Sequence, residues 1–187
     1  MKNTVFCLAL VLASAGASAG VINFDDLPGV ETEAIAKGYR GFDWDNLGAI
    51  RADAYPDSGY AAGTVSFANT AFNRDGGTAA ISKAGGFHFV GAYFTSAWLE
   101  QEIAFEGWRD GQLRYSSPVS HVLSTTAPQW IGLGWSGIDT LLIYNSSGTQ
   151  WAMDEFTVPE PGSLALFGTA LAGLVTASRR RKAPRQG

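Results

Sequence analysis

Cysteine is all but missing from this chain. Cys7 is the only one among 187 residues, and it lies in an N-terminal apolar stretch. The remainder therefore has no disulfide framework, and its stability must come from packing, with a metal as the one other staple. Histidine is nearly as scarce. His88 and His121 are too far apart to form a metal-ligand motif and have no cysteine to help. His88, inside an apolar run, reads as a core histidine, and His121 as a surface one. Nucleophile motifs are missing too: Gly134-Trp135-Ser136-Gly137 lacks the G-x-S-x-G spacing, and there is no glycine loop for phosphate. Asn145-Ser146-Ser147 matches a glycosylation acceptor by letter only. Positive charge is also thin. Between residues 20 and 158, seven Lys and Arg face sixteen Asp and Glu, leaving nine net negative charges. That sign excludes a nucleic-acid partner and suits solubility, divalent cations or neutral glycans.

What is present begins with two informative ends. Met1 to Ala19 is built as a secretory signal: Lys2 supplies the positive end, Val5 to Ala13 the apolar region, and Ala17-Ser18-Ala19 a small-residue cleavage site. Cys7 precedes the apolar region instead of ending it, so it is no lipid site. At the other end Val158-Pro159-Glu160-Pro161-Gly162 is followed by SLALFGTALAGLVTAS (163–178) and then by Arg179-Arg180-Arg181-Lys182. The uncharged run predicts a single membrane helix of about 24 Å at roughly 1.5 Å per residue, a marginal match to a core of roughly 30 Å. Arg179 can snorkel to complete the span. The basic cluster belongs on the cytoplasmic side, which places everything before Val158 outside the inner membrane. The chain thus divides into a signal peptide (1–19), a domain (20–158) and a tail (159–187).

Within the domain, short apolar runs alternate with Gly, Asn, Asp and Ser clusters. Strands are expected at Val21–Phe24, Tyr39–Trp44, Thr64–Phe67, Ala79–Ser82, Phe87–Thr95, Glu102–Gly107, Gln112–Tyr115, Val119–Ser124, Gln129–Leu133, Ile138–Tyr144 and Trp151–Val158. Phe87–Thr95 is apolar on both faces, as a central strand would be. Ile103 and Phe105 should point inward, and Gly107-Trp108-Arg109-Asp110-Gly111 should close a hairpin. Val30–Lys37 forms either a short helix or a loop. Spacings of 8–12 residues imply an all-β, antiparallel sandwich or jelly roll.

The tail VPEPGSLALFGTALAGLVTASRRRK, Val158 to Lys182, resembles the PEP-CTERM sorting signal of Gram-negative bacteria. The resemblance implies that an exosortase-type membrane protease recognises Pro159-Glu160-Pro161, removes the tail and passes the protein toward the cell surface. It also implies a link to exopolysaccharide and biofilm. The segments INFDDLP, GYRGFDWDN, FVGAYFTSAW, GIDTLLIY and WAMDEFTV resemble an uncharacterised sandwich domain common among PEP-CTERM proteins. Their acidic pairs near the first and last strands are similar to those of carbohydrate-binding jelly rolls.

Those pairs are the candidate chemistry. If the terminal strands pair, Asp25 and Asp26 approach Asp154, and carboxylate oxygens of that kind suit a structural calcium ion. Alternation lets only one of Asp154 and Glu155 serve, and the plainer alternative is an edge-strand charge pattern. A hydrolase could draw its two carboxylates from the same residues or from Glu100, Glu102 and Glu106, but none is singled out as protonated. Six tryptophans (Trp44, Trp98, Trp108, Trp130, Trp135 and Trp151) suit core filling first and sugar stacking second; Trp108 in its polar turn is the one most expected at the surface, with a ring folded back on the sheet as the plainer alternative. The expectation is an exported, non-enzymatic surface or matrix protein that binds glycan. The alternatives are a polysaccharide-acting hydrolase and an uncleaved inner-membrane protein with a periplasmic domain.

Overall fold

In a computed structural model, residues 19–31, 33–117 and 120–159 are described. The expected signal peptide up to Ser18 lies outside them. So do Glu160 and Pro161 of the sorting motif, the apolar run 163–178 and the basic cluster Arg179–Lys182. No helix among the described residues is long and apolar enough to cross a membrane. Ala19–Pro159 forms one compact unit.

The chain is all-β and antiparallel. Its strands are β1 (Ala19–Ile22), β2 (Asp43–Asp45), β3 (Leu47–Arg51), β4 (Asn69–Asn73), β5 (Ala79–Ser96), β6 (Gln101–Arg109), β7 (Gln112–Ser116), β8 (His121–Leu123), β9 (Gln129–Asn145) and β10 (Trp151–Pro159). One short helix, α1 (Gly59–Gly63), precedes β4. The order is β3-β4-β10-β5-β9-β6-β7, with β1 added to β10, β2 to β5 and β8 to β6. The terminal strands pair as anticipated, from Ala19 opposite Pro159 to Ile22 opposite Phe156.

Glycine explains why two pairs of expected strands merge, one into β5 and the other into β9, where Gly134 and Gly137 have φ of 62° and 71°. Gly85 and Gly86 carry φ of 81° and 88°, a region open mainly to glycine, so β5 bends there without ending. Its register against β9 shifts between Ser82 and Phe87 and twice more before Gly91. Elsewhere the same freedom breaks an expected strand. Gly38, Arg40 and Gly41 all have positive φ, which turns Tyr39–Gly41 into a 3-10 helix and leaves only Asp43–Asp45 extended. Thr64–Phe67 is also not a strand. The extended segment lies just beyond it at β4, which pairs with β3 and β10 and not with β5. The described part of Val30–Lys37 is a loop, docked by Ile35 N–H donating to Leu47 O at 2.9 Å.

The burial pattern of β5 corrects a second expectation. Phe87, Phe89 and Phe94 are buried, while His88, Val90 and Tyr93 on the other side are only half-buried. The strand therefore has one core face and one partly open face, and His88 is not a core residue. Ile103 and Phe105 do point inward.

Two apolar clusters flank the sheet. The larger joins Phe24, Phe42, Trp44, Phe89, Phe156 and Trp151 with the inward Ile and Leu residues. At about 1.5–3 kcal/mol per fully buried large side chain, this cluster replaces the missing disulfides as the stabilising term. The smaller contains Ile50, Tyr60, Phe72, Ala97 and Ala152. Ala49 and Ile50, Ala71 and Phe72, and Met153 and Ala152 fall in opposite clusters, so period-two alternation puts the clusters on opposite faces of β3, β4 and β10. The second face carries α1 and the features described next.

Candidate functional site

The three carboxylates expected to hold a cation serve three different loops. Asp25 accepts from Asn69 N–H at 3.1 Å. Asp26 accepts from the Tyr39 hydroxyl at 2.6 Å and pairs with the Arg40 guanidinium at 2.7 Å. Asp154 is fully buried and accepts from the N–H groups of Val65, Ser66 and Glu155, each at 2.7 Å, and from Ser66 Oγ at 3.0 Å. Burial pushes its carboxyl above the usual range, against the pull of those donors. Oxygens already facing N–H and O–H groups turn few lone pairs toward a metal. No three His, Cys, Asp or Glu side chains gather into a metal cluster among the described residues. We therefore expect a melting scan to give the same midpoint with and without a chelator. The alternation that separates Asp154 from Glu155 is itself modified: Glu155 has φ of 51° and sits in a bulge, and Phe156 beyond it is buried. Pro159 closes β10 opposite Ala19.

The tryptophans divide between core and surface. Trp44 and Trp151 are core residues. Trp108 is half-buried, its Nε1 donating at 3.0 Å to Glu106 Oε2, which also accepts from the Tyr144 hydroxyl at 2.7 Å. Trp135 is half-buried and stacks on Tyr115, with centroids 5.3 Å apart and planes 12° from parallel. The exposed ones are Trp98 and Trp130, at 49% and 42%.

Trp98 heads a built cleft. It follows β5 in the turn to β6, and α1 is brought against that turn by close backbone contact. A Cβ on Gly59 would lie 1.7 Å from Ser96 O, so only glycine allows the approach, and Gly59 N–H donates to Ala97 O at 2.9 Å. Ser58 caps the helix by accepting from Tyr60 N–H at 3.2 Å and donates to Tyr55 O at 2.6 Å. These contacts set two tyrosine rings against the indole. Tyr55 lies 5.4 Å from Trp98 at 86° and Tyr60 5.5 Å away at 88°, both edge-to-face, while Tyr60 packs on Phe72 at 5.6 Å. Polar groups fix the rim: Trp98 Nε1 donates to Gln150 Oε1 at 3.2 Å, and the Tyr55 hydroxyl donates to Glu31 Oε2 at 2.7 Å. The cleft holds about 260 Å³ and is lined also by Ile50 and Arg74.

An exposed indole buttressed by two phenol rings, with an amide, a carboxylate and a guanidinium at the edge, can take a small ring with an apolar face and hydroxyl edges. Nothing in the sequence pattern pointed to Tyr55 and Tyr60 as its partners. They lie in the turn-rich segment YPDSGY, and only tertiary contact brings them to Trp98. The density of aromatics was the one available signal.

Three phenols are also held back from ionising. Burial first, then the hydrogen bond to Asp26, pushes Tyr39 up to about 12, and burial followed by Glu106 does the same to Tyr144, again to about 12. Burial pushes Tyr60 up as well. The native state therefore keeps phenol protons that the unfolded chain releases above its ordinary value of 10.0. Their contribution to stability is intact below that pH and is lost as pH rises toward 12. Tyrosinate absorbance is expected to show these three ionising late, together with loss of the folded circular-dichroism signal.

Comparison with known proteins places the C-terminal segment. Residues 157–182 match the model of the PEP-CTERM protein-sorting motif, so the chain carries the sorting signal of an exported, surface-targeted protein. The match begins inside β10 and runs on beyond the described residues. No curated protein matches the chain. Among solved structures it is similar to TmCBM61, a carbohydrate-binding module solved in complex with beta-1,4-galactotriose, with a TM-score of 0.36 and 12% identity over 74% of this chain and 99% of the other. No role is assigned to any residue from that likeness.

Proposed function

We propose that this protein is a surface or extracellular-matrix component, sorted by an exosortase-type membrane protease, whose domain binds neutral glycan without turnover. In this reading residues 1–19 direct export, 163–178 anchor the precursor briefly in the inner membrane, and Arg179–Lys182 hold the tail on the cytoplasmic side. A cut at Pro159-Glu160-Pro161 then releases a β-sandwich of jelly-roll type to the exopolysaccharide and biofilm matrix. The observation that carries the glycan reading is the cleft under Trp98, with its aromatic floor and its Gln150, Glu31 and Arg74 rim. Among the described residues Glu31 is the sole acid lining it, whereas glycoside hydrolysis uses a pair of carboxyl groups about 5–10 Å apart.

Affinity electrophoresis of the full chain through a soluble β-glucan, a galactan, a mannan and a xylan tests the reading. Retardation by at least one polymer with no release of reducing ends supports it. Released ends make the protein a hydrolase, and free migration through all four removes the glycan function. Sorting is tested separately by the mass of the mature protein. Loss of the Arg179–Arg181 end marks the cut, whereas an intact end marks a resident inner-membrane protein.

A further inference from the structure

We infer that the domain carries a second sugar-stacking site, centred on Trp130, which makes it a two-site binder of neutral polysaccharide. The inference extends the glycan reading above but stands on different residues. Trp130 lies on β9 opposite Tyr93 of β5, and Gly132 lies opposite Gly91 two positions along. Their neighbours Ala92 and Ile131 are buried, so alternation puts Trp130, Tyr93 and both glycines on the outer face.

Neither glycine has positive φ, so the backbone conformation does not call for them. Space does. A Cβ on Gly91 would meet Ile131 O at 2.6 Å and the Trp130 ring at 2.7 Å, and one on Gly132 would meet Trp130 Nε1 at 3.0 Å. Glycine inside a strand is destabilising relative to alanine. Two of them opposite one another clear a bed on which the indole lies along the sheet. Tyr93 braces it from the side, 5.1 Å away at 63°. Trp130 stays 42% exposed although its ring is held over the glycines. A flat, prepositioned indole face matches the apolar face of a pyranose and forfeits little side-chain entropy on binding.

Charge selects the class of sugar. The domain carries nine net negative charges, yet residues 84–99 and 115–138, which supply Trp130, Tyr93 and both glycines, include no Asp, Glu, Lys or Arg, and Asp154 opposite Tyr93 is fully buried on its own donors. A uronate-rich chain would be repelled by the domain and would find no cation here, whereas a neutral hexose chain meets an uncharged surface.

The test uses the full chain and whichever neutral polymer of the four retards it most. Trp130→Ala is expected to weaken retention about tenfold while the Trp98 cleft still binds. Trp130→Phe should recover part of that loss. Gly132→Ala is the sharper variant, because its new methyl meets only the indole. It should tilt the ring and weaken retention severalfold with the melting midpoint little changed. Trp98→Ala combined with Trp130→Ala should migrate freely. If Trp130→Ala and Gly132→Ala bind like the wild type while Trp98→Ala abolishes retention, the second site is wrong and the cleft reading stands. If Trp98→Ala is silent while Trp130→Ala abolishes retention, the cleft reading falls and the Trp130 site survives. If no single or double variant changes retention, both fall.

Discussion

Trp98→Ala is expected to cut affinity for the retained polysaccharide by about tenfold or more, with a much smaller effect on folding. The asymmetry follows from where the ring sits. Half of it is open to solvent, and its contacts are the edges of Tyr55 and Tyr60 and a single hydrogen bond to Gln150. Removing it destabilises by about 1 kcal/mol, the scale of lost aromatic pairs and partial burial. For a ligand the same ring is an exposed indole lining the cleft, and ~1.4 kcal/mol of lost stacking is already a factor of ten. Titration calorimetry beside a melting scan separates the two quantities. Equal affinity in the variant would remove the cleft as the binding site.

Asp154→Ala is expected to have the opposite profile, a large loss of stability. Its carboxylate is fully buried and holds three N–H groups and one hydroxyl from two segments far apart in sequence. Without it the Val65, Ser66 and Glu155 donors face an apolar void. At roughly 1–3 kcal/mol for each buried donor left unsatisfied, with some regained by water, the total comes to about 3–4 kcal/mol. For a domain of this length the melting midpoint should fall by on the order of 10 °C. Asp154→Asn separates the charge from the shape. Its carbonyl can still accept at the Oδ2 position, but its amide would turn N–H toward Glu155 N–H, so an intermediate loss is expected. A midpoint unchanged by Asp154→Ala would mean the 64–68 loop holds its place without that carboxylate.

Asp154 also illustrates how far the sequence carried. Acidic residues beside the first and last strands read as a calcium site because terminal strands of such folds meet. They do meet, through β1 and β10, but Asp25 and Asp154 face backbone N–H groups and Asp26 faces the Tyr39 hydroxyl and the Arg40 guanidinium. The number of acids is visible in a sequence, and the donors each will satisfy are not. The same limit applied to the aromatics. For Trp108 in its polar turn the sequence offered the surface or a ring folded back on the sheet, and the hydrogen bond to Glu106 on the same strand goes with the second. Trp98 was not distinguished from the other tryptophans by its neighbours in the chain, and it is exposed.

Period, turn residues and charge are local properties, and they determined a good deal without help. The all-β class, most strand positions from β5 onward, the inward Ile103 and Phe105, the acidic domain and the sorting signal at the C-terminus all come from neighbours in the chain. Only the tertiary structure decided the merging of strands across Gly85-Gly86, the loss of the strand at Tyr39–Gly41, and the meeting of Tyr55, Tyr60, Gln150 and Trp98. These depend on left-handed backbone torsions and on close approaches such as Gly59 to Ser96, where contacts between distant segments outweigh local preference.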